Sequence, residues 1–201
     1  MSAQRQLSQA ISEGDGISLI AEVDGPGAAE RAEREGAEAL LVFSGNEREL
    51  PEIRKGSSLP ILFYWDGEKA DALAGADACV INVIDLQGGA GIGDLVEQAH
   101  LNLSEDFEVG FRIADEDQLE ETLERYDPEI FILAAPRAEG EEALERVLNL
   151  LPDIPAGKLV IADLDARDRE QVAELERAGV DAVFVGAGNV SSLVSAAPPE
   201  V

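Results

Sequence analysis

The sequence is poor in the residues that build disulfide frameworks and zinc sites. Its 201 residues include one cysteine, Cys79, and one histidine, His100. A single cysteine excludes an intramolecular disulfide, and these two residues cannot supply the ligands of a Cys/His zinc site. We therefore assign no metal centre and no cofactor to the chain.

Long hydrophobic runs are also missing. No apolar stretch approaches the roughly 20 residues that a membrane-spanning helix needs. The first 16 residues are polar and lack the basic and then apolar pattern of a signal peptide. We expect a cytoplasmic protein that does not bind membranes.

Positive charge is scarce as well. Lys and Arg total 15 against 42 Asp and Glu, which gives a formal net charge of −27. Such a field repels nucleic acid and anionic lipid, so we expect neither as a partner. Many acids fall on predicted helix faces, where they are solvated. One interpretation is a halophilic surface, because high salt would screen the self-repulsion.

Eight short apolar runs alternate with amphipathic stretches along the chain. The runs cover residues 18–23, 39–43, 60–64, 78–84, 107–113, 130–134, 159–162 and 182–186. Near-continuous hydrophobicity is typical of parallel strands buried on both faces. Helical periodicity is found between them, for example over 28–35, 115–126, 141–151 and 167–178. Eight β–α units predict a closed (β/α)₈ barrel.

The domain organisation follows from this alternation. We predict that residues 1–16 form a short helix that caps the bottom of the barrel, that 17–196 form the barrel, and that 197–201 are a frayed tail. Barrels of this class usually need about 250 residues, so we expect short loops here.

Several segments resemble indole-3-glycerol-phosphate synthases, a phosphate-binding barrel family of tryptophan biosynthesis. SLIAEV at 18–23 resembles the family's first strand, commonly IAEVK, and LPILFYWD at 59–66 resembles its third, usually LPVLRKDF. Residues 107–123 parallel the fifth unit, and 154–186 parallel the last two units, where the family has SESGI and ends in VGE. The resemblance implies a TIM barrel and a carbon–carbon lyase that closes an indole ring on a phosphorylated, anthranilate-derived sugar.

The resemblance also implies which residues form the catalytic site. Glu22 stands at the family's first-strand glutamate, and Asp24 replaces the lysine two positions later. Tyr64 stands at the third-strand lysine, Arg112 at the fifth-strand glutamate and Asp163 at the seventh-strand glutamate. A tyrosine with a pKa near 10 cannot replace a persistent ammonium group, and an aspartate inverts the charge. We therefore expect the synthase reaction to be absent or nearly so.

Part of the family's phosphate cradle is retained. Gly186, Gly188 and the helix start near Asn189 keep its character, whereas Asp165 stands where a glycine backbone would approach the anion. Our leading hypothesis is a divergent barrel, monomeric, that binds a phosphorylated or anionic small molecule at the carboxyl ends of its strands. The glycine-rich segment 88–93 could also face an anion, but it lacks the lysine of a P-loop.

Three other interpretations stay open. The chain could be an active lyase or isomerase that uses Glu22 and Asp163 as its acid–base pair on a different phosphorylated substrate. Glu22, Asp24, Asp163 and Asp165 could instead hold a hard divalent cation, since carboxylate oxygens suit Mg²⁺ or Ca²⁺. These acids could equally be solvated at the barrel mouth or be paired with Arg112 and Arg137. A barrel without any small-molecule site, kept as a scaffold, is the third.

Overall fold

The computed structural model describes residues 6–14, 16–66, 73, 75–84, 90–102, 107–164, 166 and 168–194. The strands are β1 Ser18–Glu22, β2 Ala39–Phe43, β3 Ile61–Trp65, β4 Ala78–Asn82, β5 Glu108–Ile113, β6 Ile130–Ala134, β7 Leu159–Asp163 and β8 Ala182–Gly186. The α-helices are α1 Leu7–Ser12, α2 Pro26–Glu35, α3 Leu50–Gly56, α4 Ala90–Asn102, α5 Glu116–Arg125, α6 Gly140–Leu150, α7 Arg169–Ala178 and α8 Val190–Leu193. All strand pairs are parallel, and β1 pairs with β8 to close the barrel, so the predicted (β/α)₈ fold is confirmed.

Each strand is apolar on both faces because each face contacts a different hydrophobic layer. Alternate side chains, such as Ile20, Leu41 and Ile132, pack inside the barrel. The residues between them, such as Leu40 and Phe63, pack in the layer between the barrel and its helices. This double burial is what the continuous apolar runs of the sequence encode.

The barrel interior leaves no room for a side chain at Gly110 on β5. A Cβ atom there would lie 2.6 Å from Ile132 Cδ1 and 3.1 Å from Ile130 Cγ2. Real Cβ atoms do not approach other carbon atoms so closely, and packed interiors tolerate little added volume. Glycine at this position therefore lets the inner layer of β5 and β6 close.

Two near-repeats, GADA at 75–78 and GVDA at 179–182, each contain an aspartate that links neighbouring strands by a hydrogen bond. Asp77 Oδ2 accepts a hydrogen bond from Ile61 N at 2.7 Å. Asp181 Oδ2 accepts one from Val160 N, also at 2.7 Å. In both repeats the carboxylate thus binds a backbone N–H near the start of the preceding strand, which explains why the motif recurs before β4 and β8.

Helix α7 shows how local sequence fixes the helix bounds. The Asp168 side chain caps the helix by accepting a hydrogen bond from Gln171 N. Gly179, at φ +97°, ends it in the left-handed conformation that glycine adopts most readily. The helix therefore begins at Arg169, two residues later than predicted, and Arg167 lies outside the described residues.

Helix α1 lies against the amino-terminal end of the barrel. Its apolar residues Leu7 and Ile11 are buried in the inner layer. Ser8 N donates a hydrogen bond to Glu108 Oε2 at 3.1 Å, and Ser18 Oγ donates to the Ile11 carbonyl at 3.4 Å. The proposed tail, 197–201, lies outside the described residues. In the described part of the chain, no helix has the length and hydropathy needed to cross a membrane.

Candidate site at the barrel mouth

One inward-facing position from each strand meets at the carboxyl end of the barrel. We call these eight positions the mouth ring. They continue the alternation of the inner layer. Neighbouring positions are either direct register partners or offset by two residues along the strand. In order from β1 to β8 they are Glu22, Phe43, Tyr64, Asn82, Arg112, Ala134, Asp163 and Gly186. The four residues predicted as catalytic and one of those predicted to bind phosphate therefore lie in one ring.

Arg112 and Asp163 form an ion pair across the mouth ring. Arg112 Nε lies 2.5 Å from Asp163 Oδ2, and the two side chains are 17% and 26% exposed. These residues belong to β5 and β7, with β6 between them. The mouth-ring residue of β6 is Ala134, whose small side chain leaves the guanidinium room to reach over it. The sequence placed both residues at strand ends and offered pairing of the mouth acids with Arg112 or Arg137 as one interpretation, without singling out Asp163.

The Arg112 guanidinium also contacts Asn82 on β4 and the aromatic ring of Tyr64 on β3. Arg112 Nη1 donates to Asn82 Oδ1 at 3.4 Å. The guanidinium carbon lies 5.9 Å from the centre of the Tyr64 ring, and that ring stacks on Phe43 with centroids 5.0 Å apart. A cation over an aromatic face is attracted by the ring quadrupole. Tyr64 therefore helps to hold the positive charge of Arg112, whereas the lysine that the family has at this position would carry a positive charge itself.

Glu22 is the most exposed acid of the mouth ring and has a different environment. Its side chain is exposed, and its strand neighbours are Leu41 and Gly186. Partial burial raises the pKa of Glu22, and the negative charges of Asp163 and Asp24 raise it further. A carboxyl group with a raised pKa gives up its proton at a higher pH than an ordinary glutamate.

The residues predicted to bind phosphate form a turn directly beside Glu22. Asn189 N donates to the Gly186 carbonyl at 2.8 Å, which closes the turn that leads into α8. A Cβ atom at Gly188 would meet nothing within 4 Å, so the outer face of the turn is open. Asp165, which we expected to repel an anion here, lies outside the described residues, as do Gly88 and Gly89 of the glycine-rich segment.

Two mouth-ring residues, Phe43 and Asn82, were missed by the sequence analysis. Each stands two residues after an inner-layer residue of its strand, Leu41 and Val80, so strand alternation alone would have found them. Trp65 has the opposite parity: it is 2% exposed and packs in the outer layer.

The acidic residues at the barrel mouth are candidate metal ligands. Among the described residues, no group of three or more His, Cys, Asp and Glu is placed to hold a metal ion. Glu22, Asp24 and Asp163 belong to the described residues, whereas Asp165 does not. The described geometry gives the divalent-cation hypothesis no support.

The chain was compared with known proteins. No protein-family model matches it. The indole-3-glycerol phosphate synthase of Acidithiobacillus ferrooxidans is 30% identical over 152 residues, which are 76% of this chain and 55% of that protein. The synthase of Nautilia profundicola is 31% identical over 151 residues, 72% of this chain and 56% of that protein. The chain thus spans somewhat more than half the length of the curated relatives it matches.

Solved structures support the fold alone. A variant of the tryptophan synthase α-subunit from Pyrococcus furiosus superposes with a TM-score of 0.65 at 19% identity, covering 86% of this chain and 88% of that one. A mandelate oxidase variant superposes with a TM-score of 0.64 at 16% identity, covering 87% and 66%.

The fold and the position of the site define a (β/α)₈ barrel with a candidate site at the carboxyl ends of its strands. Within that class, the sequence is similar to indole-3-glycerol phosphate synthases over about three quarters of this chain.

Proposed function

We propose that the mouth ring binds a small anionic or phosphorylated molecule and that the chain does not catalyse the indole-forming reaction. The observation that carries this proposal is the Arg112–Asp163 ion pair. It means that the mouth-ring cation is on β5 and is fixed by a carboxylate, whereas the synthase resemblance calls for a lysine on β3.

We expect no synthase chemistry because no residue of the described mouth ring can act as the cationic proton donor that the reaction needs. The family's reaction needs a cationic general acid near the sugar carbonyl. A guanidinium such as that of Arg112 can bind an oxyanion, but arginine is not a proton donor in proteins. Tyr64 offers an uncharged phenol, and Asp24 adds a negative charge. None of the three replaces a lysine.

Anion binding is supported by the N–H groups of Arg112 that donate to neither Asp163 nor Asn82. A guanidinium has five N–H donors, and the described partners of Arg112 engage Nε and Nη1. The remaining donors can bind a phosphate or carboxylate in bidentate fashion. Because Asp163 already neutralises much of the charge, we expect weak binding.

A thermal-shift titration with inorganic phosphate and phosphorylated sugars tests the anion site. Ligand at 100 times Kd adds about 2.7 kcal/mol of stability. We expect a rise in Tm for the native chain and for the control Arg146→Gln, whose exposed arginine pairs with Glu142 on α6. The rise should be lost in Arg112→Gln and reduced when a bulky residue replaces Gly188. Equal shifts in the two arginine variants, or no shift in the native chain, would refute the proposal.

A second candidate function is proton transfer on a different phosphorylated substrate. The raised pKa of Glu22 favours it. Since Asp163 is bound to Arg112, the acid–base pair expected from the sequence reduces to Glu22 as the group free to exchange a proton. Proton NMR in D₂O on a panel of phosphorylated sugars would detect exchange at carbon; we expect exchange to be lost in Glu22→Gln and kept in Asp163→Asn. Absence of exchange in the native chain would leave a binding site without catalysis.

A further inference from the structure

The mouth ring is unevenly filled. The side formed by β2–β5 carries the large side chains Phe43, Tyr64, Asn82 and Arg112, which contact one another. The side formed by β6–β8 carries Ala134, Asp163 and Gly186. Because alanine and glycine occupy little volume, the open part of the ring formed by the described residues lies over β6 and β8. Asp163 stands between these two small residues, and Glu22 borders them on β1.

The charges around this open part are unequal. Asp163 is neutralised by Arg112 at 2.5 Å. Glu22 has no cation within ion-pair distance among the residues that the structure describes, and the charged groups that act on it are Asp163 and Asp24. An apolar or anionic ligand group placed there would desolvate this carboxylate without compensation, and a neutral hydroxyl would donate a hydrogen bond but leave the charge repulsion in place. A group that donates hydrogen bonds and carries positive charge would offset the desolvation and the repulsion together.

The position of Glu22 is fixed by the strands on both sides. Its backbone pairs with Leu41 on β2 and with Gly186 on β8. The anion donors of Arg112 are on β5, four strands away around the closed barrel. A ligand that satisfies both groups must therefore carry its anionic and cationic ends on opposite sides of one short molecule.

We propose that the ligand of the mouth ring carries a protonated amine besides its anionic group, and that Glu22 is the carboxylate that binds this amine. The inference rests on the proposed function, since it assumes that an anionic group lies at Arg112. The ligand class is an amino-substituted alkyl or sugar phosphate. Burial raises the pKa of Glu22 most, and the negative charges of Asp163 and Asp24 raise it further; an ammonium group beside Glu22 would offset this repulsion.

The test compares two matched series of probes by calorimetric titration at low salt. One series is 2-aminoethyl, 3-aminopropyl and 4-aminobutyl phosphate; the other is the alkyl phosphates in which a methyl group replaces the ammonium group. We expect the amino compound of at least one length to bind about three- to tenfold more tightly than its alkyl partner, the range of a partly exposed ion pair with good hydrogen bonds.

A variant pair separates the local contact from the general field. The net charge of −27 favours every amino probe over its alkyl partner. Glu22→Gln and Glu145→Gln lower that charge equally, and Glu145 is exposed on the outside of α6. We expect the preference for the amine to fall to about one in Glu22→Gln and to persist in Glu145→Gln.

The outcomes distinguish the inference from the proposed function. If alkyl phosphates bind as tightly as amino phosphates at every length, or if both variants keep the same preference, the assignment of Glu22 is wrong and the anion site stands. If neither series binds, the proposed function fails and the inference fails with it. The comparison of probes on the native chain does not depend on how well either variant folds.

Discussion

The Arg112–Asp163 ion pair gives the most quantitative prediction of this structure. Two unit charges about 4 Å apart attract by about 4 kcal/mol at an effective dielectric constant near 20, and desolvation offsets much of this gain. With side chains 17% and 26% exposed and an Nε–Oδ2 distance of 2.5 Å, the pair lies between the surface and the buried limit. We therefore expect a net coupling of about 1 to 2 kcal/mol.

A double-mutant cycle with Arg112→Gln and Asp163→Asn measures that coupling by urea unfolding. In a chain of this length, 1 kcal/mol corresponds to a Tm change of about 2–4 °C. The control cycle removes Arg146 and Glu142, which pair on α6 with side chains 53% and 62% exposed, and should give about 0.5 kcal/mol or less. A coupling for the mouth pair no larger than the control would mean that Asp163 does not hold Arg112, and the charge arrangement proposed for the mouth would be wrong.

Three other predictions concern packing, pH and salt. Gly110→Ala should lower the unfolding free energy by about 1–3 kcal/mol, because its Cβ would overlap Ile132, whereas Gly188→Ala, whose Cβ meets nothing, should change it by less than about 0.5 kcal/mol; equal urea midpoints would contradict the packing argument. The pKa of Glu22 is raised above its ordinary value of 4.5, so ionised Glu22 opposes folding above the raised pKa and this effect vanishes below about 4.5. Glu22→Gln should thus melt above the native chain at pH 7, with the gap closing towards pH 4, and a gap that widens on acidification would refute the assignment. Finally, the net charge of −27 predicts that NaCl and KCl raise Tm alike, and a response to only one of them would indicate a specific ion site.

The strands could be predicted well because each is a short apolar run with a clear change of residue type at its ends. The runs at 39–43, 130–134 and 182–186 have the bounds that the structure gives to β2, β6 and β8. The third run was predicted to begin at Pro60, but β3 begins at Ile61. Proline has no N–H to donate to a strand ladder, so it marks the position before the strand.

The candidate site was predicted in its positions, and pairing of its acids with arginine was one interpretation, but the sequence did not say which acid pairs with Arg112. Glu22, Tyr64, Arg112 and Asp163 all lie at carboxyl ends of strands, where a closed barrel brings them together. Which of them pair depends on side-chain size and register across several strands. The ion pair between Arg112 and Asp163 spans β6, and no local sequence pattern indicates a contact between strands that are not neighbours.

The central proposal is that this barrel lacks the synthase reaction of its relatives. The decisive measurement is the formation of indole-3-glycerol phosphate from the phosphorylated, anthranilate-derived sugar, with the Acidithiobacillus ferrooxidans synthase as the positive control, at low and at high salt. We predict no product above the enzyme-free blank under conditions in which the control turns over. Turnover by the native chain that is lost in Glu22→Gln would show that the mouth ring performs this chemistry without the two lysines, and would contradict the account.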